Sequence, residues 1–258
     1  MKLENYNDYK EYSVKIYDIS MSMSVLNWDQ ETKMPKNGSR FRAQQLSTLA
    51  KIAYELSTDD KYGKLLETLN NDKSLNPDQK RNIFLSRKEF LKNKKYSSDF
   101  IVKQSKLISK AFNDWRIAKE KNNFKLFQDS LEKLVELRKE ECELIGYTNH
   151  PYDALLDIYE PNLTTKNVDL IFKDVKEKLV PFIKLIAKNN HVDDSFFYQS
   201  FDHDMQWDFG IKLLKQMGYD FDSGRQDISA HPFSSHFSPE DARVTTRIDE
   251  NNLSEMIW

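Results

Sequence analysis

Apolar residues recur every three or four positions up to about residue 190, the period of a helix with one buried face. Tyr6, Tyr9, Ile16, Ile19, Met23 and Leu26 predict a first helix, interrupted at Trp28-Asp29 and by Met34-Pro35-Lys36-Asn37-Gly38. A second starts at Ser39, with Leu46, Leu49, Ile52, Ala53 and Leu56 inward, and Asp59 or Asp60 caps a third carrying Tyr62, Leu65, Leu66 and Leu69. Asn76-Pro77-Asp78 pairs a cap residue with proline at the first helical position and starts a helix reaching about Lys94. Ser97 or Ser98 caps the next, which carries Ile101, Ile108, Phe112 and Trp115. The pattern resumes from Phe124 and stops at Gly146, a C-cap residue. Pro151 opens a short helix ending before Glu160-Pro161, Thr164 or Thr165 opens one reaching Ala187, and the last spans Phe201 to Met217.

From Tyr219 the texture changes. Gly224 to Phe233 suits an extended segment, and the β-branched run Arg243-Val244-Thr245-Thr246-Arg247-Ile248 reads as a strand. Asp249 to Asn252 is a turn, and Leu253 to Trp258 resembles the first turns of another helix. The expected fold is mainly α: a multi-helix array with a small β-hairpin or sheet near the C-terminus. The expected organisation is a single helical domain over residues 1–258, with 219–258 as an extended β segment beside a cleft.

Composition sharpens this. Six glycines and 7 prolines in 258 residues leave too few turn formers for a sandwich or barrel. Thirty-nine Lys and Arg against 41 Asp and Glu give a charge of −2, without the basic excess that nucleic acid or an anionic membrane attracts. Cys142, alone, forms no intrachain disulfide and supplies no Cys-rich zinc site. The polar N-terminus and the lack of a long apolar run predict a cytoplasmic protein.

The five histidines are His150, His191, His203, His231 and His236, none in the His-Glu-x-x-His spacing that turns two imidazoles to one helix face for zinc. Three stretches stand out: Trp28-Asp29-Gln30-Glu31-Thr32, His231-Pro232-Phe233 and Asp241-Ala242-Arg243-Val244-Thr245. On a strand, Asp241, Arg243 and Thr245 share one face. Such a group is either a structural clamp or a holder for a substrate carboxylate.

These blocks carry a resemblance. Trp28-Asp29-Gln30-Glu31-Thr32-x-Met34-Pro35, His150-Pro151-Tyr152-Asp153-Ala154-Leu155-Leu156-Asp157, Tyr159-Glu160-Pro161, Phe201-Asp202 with Gln206-Trp207, His231-Pro232-Phe233 and Asp241-x-Arg243-x-Thr245-Thr246-Arg247 resemble, in order, blocks of the carboxypeptidase Taq family. The resemblance implies a zincin-like metal-dependent carboxypeptidase that releases C-terminal residues from peptides with water activated by zinc or another divalent metal. It also implies that this chain is the N-terminal half, truncated before the metal helix, because the family's His-Glu-x-x-His begins a few residues beyond Trp258. No catalytic residue and no metal ligand is then expected here, the chain alone is expected to be inactive, and no bound zinc is expected. The resemblance makes Arg243 the candidate for the substrate carboxylate, with Asp241 orienting it, Thr245 adding a donor, and His231 and Phe233 on the facing segment. Leu253, Met256, Ile257 and Trp258 are expected to be apolar yet uncovered, which favours a homodimer. The alternative reading is a non-catalytic helical binding or dimerisation module.

Overall fold

A computed structural model describes residues 2–189 and 192–257; His191 and Trp258 lie outside these, as does the Ile257 side chain. Among the described residues it contains ten α-helices and three strands, so the mainly helical class with a small sheet near the C-terminus is what the chain adopts. The helices are α1 (Lys2–Thr32), α2 (Ser39–Ser57), α3 (Asp60–Asn70), α4 (Pro77–Asn93), α5 (Ser98–Glu120), α6 (Lys125–Ile145), α7 (Pro151–Tyr159), α8 (Thr165–Ile186), α9 (His203–Gln216) and α10 (Ser254–Ile257). The strands are β1 (Gly224–Ile228), β2 (Ser234–Ser238) and β3 (Asp241–Thr246), in the order β1-β3-β2. The chain forms two compact units: one of residues up to Leu137 with Asp220–Thr245, the other of Arg138–Tyr219 with Thr246 onward.

Helix boundaries follow local chemistry. Asn76 and Gln79 form a reciprocal capping box ahead of Pro77, each side chain bonding the other's backbone N–H at 2.9 and 3.0 Å. Asp59, Ser97, Thr164 and Asp202 cap α3, α5, α8 and α9 by accepting backbone N–H groups. Gly146 and Gly218 follow α6 and α9 at φ of +80° and +85°, where a β-carbon would be strained.

The break expected at Trp28 does not occur. Helix α1 runs on to Thr32, whose hydroxyl bonds the Trp28 carbonyl at 2.7 Å, and the chain turns only at Met34-Pro35. Neither Trp nor Asp breaks a helix, whereas proline forces the residue before it out of helical geometry. Strand β2 was not expected, since Ser-Ser-His-Phe-Ser carries little strand propensity. It forms because β3 offers it an antiparallel edge, pairing Ser234 with Val244 and His236 with Ala242 before a register shift near Ser238.

In the first unit the core gathers Tyr9, Tyr62, Leu66, Leu69, Leu75 and Ile83 where α1, α3 and α4 meet. The Tyr62 ring stacks on Tyr12 at 5.3 Å and meets Phe90 edge-on at 6.1 Å. Tyr9 Oη lies 2.9 Å from the Ser86 hydroxyl, satisfying its polar end.

In the second unit α7 packs on α8 and α10 on α9. Gln206 donates from Nε2 to the carbonyls of Phe201 and Asp249, 3.0 Å each, and the Phe201 N–H reaches the Glu250 carbonyl at 2.8 Å. Met256, expected to be uncovered, is buried: the Thr246 hydroxyl binds its carbonyl at 3.1 Å and α10 lies against α9. Leu253 is half-buried, its N–H donating to the Phe197 carbonyl. Arg247 pairs with Glu255.

Leu66 is fully enclosed, so truncation leaves a void that the three helices cannot close. Leu66→Ala is expected to cost about 2–5 kcal/mol, read by urea unfolding followed with circular dichroism.

Candidate functional site

The sequence candidates of the first unit meet where the end of α1 lies against the sheet. Asp241 and Arg243, two apart on β3, point to the same face and form a bidentate pair, Nε and Nη2 each 2.8 Å from a carboxylate oxygen. Hydrogen bonding to Arg243 holds the Asp241 carboxyl below its ordinary range. The Arg243 guanidinium carbon lies 4.4 Å from the Trp28 ring centre and 4.9 Å from that of Phe237, a cation–π contact on each. Trp28 is 5% exposed, and its Nε1 has no hydrogen-bond partner among the described residues, so burial and ring contacts hold it.

A second pair repeats the spacing on β1. Arg225 and Asp227 form a bidentate bond at 2.5 and 2.8 Å, and the Arg225 guanidinium sits 5.2 Å from Trp28. Lys33, just beyond α1, reaches the same carboxylate at 2.8 Å. Burial pushes the Asp227 carboxyl up, but the hydrogen bonds from Arg225 and Lys33 outweigh it and the group titrates below its ordinary range. Asp29 binds Arg42 on α2 at 2.6 Å. The sequence reading missed Lys33, Arg225, Asp227 and Phe237. The i, i+2 rule that singled out Asp241 and Arg243 applies equally to Arg225 and Asp227.

Thr245 faces inward and organises the His231-Pro232-Phe233 segment. Its hydroxyl accepts the Phe233 N–H at 2.8 Å and donates to the Phe233 carbonyl at 3.0 Å, which the Thr245 N–H also reaches. Ser229 Oγ lies 2.8 Å from both the Thr245 hydroxyl and the His231 carbonyl. The His231 side chain is exposed and Phe233 half-buried. The structure thus joins Asp241 to Arg243, and Thr245 to the backbone of the 231–233 segment.

Among the described residues no group of three or more His, Cys, Asp or Glu could hold a metal ion. Asp202 is occupied in capping α9, and the neighbouring His203 bonds exposed Asp204 at 3.0 Å. The donor set among the described residues does not fit a catalytic divalent metal. In the first unit a groove of about 590 Å³ runs beside α1, lined by Tyr17, Ser20, Ser24, Tyr54 and Phe90. Glu31 lines a smaller depression of about 280 Å³, and burial raises its carboxyl above the ordinary value. No described helix is long and apolar enough to cross a membrane.

The profile of the carboxypeptidase Taq (M32) metallopeptidases matches residues 8–258. The chain belongs to that family. Carboxypeptidase 1 of Bacillus subtilis is 37% identical over 95% of this chain and 49% of its own length. Thermostable carboxypeptidase 1 of Pyrococcus furiosus is 31% identical over 91% of this chain and 48% of its own. Among solved structures, BsuCP superposes with a TM-score of 0.95 at 35% identity, covering 98% of this chain and 52% of that one. The M32 carboxypeptidase of Deinococcus radiodurans gives 0.84 at 27%, over 98% and 51%. This M32 chain therefore spans about half the length of the relatives it matches.

Asp227 and Asp241 are both held below their ordinary range, so their pairs stabilise the folded chain fully above about pH 4, where unfolded aspartates are also ionised. That contribution drains away as pH falls through the lower folded-state values. Asp227→Asn, which leaves two half-exposed cations that water can still reach, is expected to cost about 1–3 kcal/mol at neutral pH. Denaturant unfolding across an acid series should show the variant losing less further stability than the parent on acidification.

Proposed function

We propose that this chain is one half of a metallocarboxypeptidase that releases C-terminal residues from peptides, and that it does not turn over substrate alone. One observation carries this reading: residues 8–258 match the M32 profile, while the chain spans about half the length of the relatives. A divalent metal, for which zinc is the first candidate, would supply polarisation of the scissile carbonyl and an activated water to the assembled enzyme. Its ligands and the general base would then come from the complementary half.

The contribution of this chain is then shape and position. Asp241 and Arg243 act as positioning residues, fixing one cleft wall by locking β3 to Trp28 and Phe237. Thr245 acts likewise on Phe233, its single proton already given to a carbonyl. His231, exposed on that segment, is the residue we assign to face the peptide. The cytoplasm and a homodimer remain part of this reading as proposals.

The purified chain is expected to release no C-terminal amino acid from peptides, with or without added zinc or cobalt. Mixing with the complementary half of Bacillus subtilis carboxypeptidase 1 should restore metal-dependent release. Metal-dependent turnover by this chain alone, with contaminating proteases excluded, overturns the reading. In the mixture, Arg243→Lys should lower both thermal stability and kcat, because a single ammonium replaces neither the bidentate pair nor the flat contact with Trp28.

A further inference from the structure

Helix α8 carries an apolar seam that, beyond half-buried Val168, the described residues of its own unit leave largely exposed, although α7 packs on the helix. Val168, Phe172, Val175, Leu179, Phe182 and Ile186 are spaced alternately four and three apart, the rhythm that keeps one helix line facing a partner helix. Ile171 and Ile183 widen the stripe at either end. Phe172 is 66% exposed and Phe182 56%, and no residue of α8 is buried. A soluble helix normally turns such a stripe into a core, and a stripe this long left open marks an interaction surface.

The length comparison offers an occupant. BsuCP has this fold over 98% of the present chain at a TM-score of 0.95, and roughly as much chain again. The remaining half of such a protein is the additional chain available to bury an open helix face. A second copy of this chain fits less well. Lys176 and Lys178 flank the seam at its middle, Lys178 paired with exposed Asp174 at 2.8 Å, and a two-fold antiparallel pairing sets each lysine against its own copy. Pairing of like charges across a helical seam is unfavourable.

We infer that the α8 seam is the docking surface for the complementary half of the carboxypeptidase. This rests on the half-enzyme reading above and names the surface through which the halves join.

Thiol accessibility tests it. The native chain has one cysteine, Cys142, which is buried, so Leu179→Cys introduces one reactive site on the seam. Phe41→Cys, at an exposed position of α2 in the other unit, is the control. Each full-length variant is labelled with a maleimide alone and with the complementary half of Bacillus subtilis carboxypeptidase 1, supplied as a separate chain and, in parallel, fused behind residue 258. Labelling at 179 is expected to slow at least about tenfold when the other half is present, with the control changed far less. Equal labelling at 179 in a co-migrating or fused pair overturns the proposal, as does failure to co-migrate together with equal labelling in the fusion. Protection that grows with concentration of the chain alone overturns it in favour of a second copy. Protection at 179 without restored peptide hydrolysis keeps the docking surface and removes the catalytic reading. Restored hydrolysis without protection does the reverse.

Discussion

Arg243 is the residue on which the first unit's sheet depends. Its guanidinium holds Asp241 on the same strand, meets Trp28 from α1 and meets Phe237 from β2. A three-stranded sheet with strands of five and six residues has little stability of its own and needs a surface to lie on. The end of α1 is that surface, and charge over aromatic rings is the join. Around it, Lys33 and Arg225 neutralise Asp227, and Tyr17 donates to the Phe237 carbonyl at 3.2 Å. The sheet is thus anchored by polar contacts rather than by a deep apolar core. The energetic weight is modest per contact, and cooperation among several of them holds the register.

That arrangement gives the family match physical content. The Trp28 block and the Asp241 block lie more than 200 positions apart in the chain, yet they are two sides of one contact. The His231 block is tied to the same strand through Thr245. Three of the blocks that mark the family therefore describe one local structure in the first unit.

Much of the fold was legible because helix ends are written in short-range chemistry. Asn76-Pro77, Ser97, Thr164 and Gly146 act within a few residues of themselves, and each does in the fold what its type requires. What was not legible depends on distant partners. Strand β2 exists because β3 lies beside it, which Ser-Ser-His-Phe-Ser does not announce. The pair Asp241 and Arg243 was readable from spacing alone, whereas the Lys33 bond to Asp227 joins residues 194 positions apart by chain fold. Met256 was misjudged for a related reason, since its cover comes from α9 and Thr246 rather than from its own short helix.

Pro181 lies inside α8 and gives its exposed stripe a shape. Proline has no N–H for the carbonyl one turn earlier, at Glu177, and its ring crowds that carbonyl. Both groups fall on the side of the helix opposite Val175, Leu179 and Phe182, where water can solvate the released oxygen. A helix opened on one side curves toward the other. The consequence of a proline at this position is a bias toward curvature with the stripe on the inner side, a shape suited to wrap a rounded body rather than to lie along a straight rod.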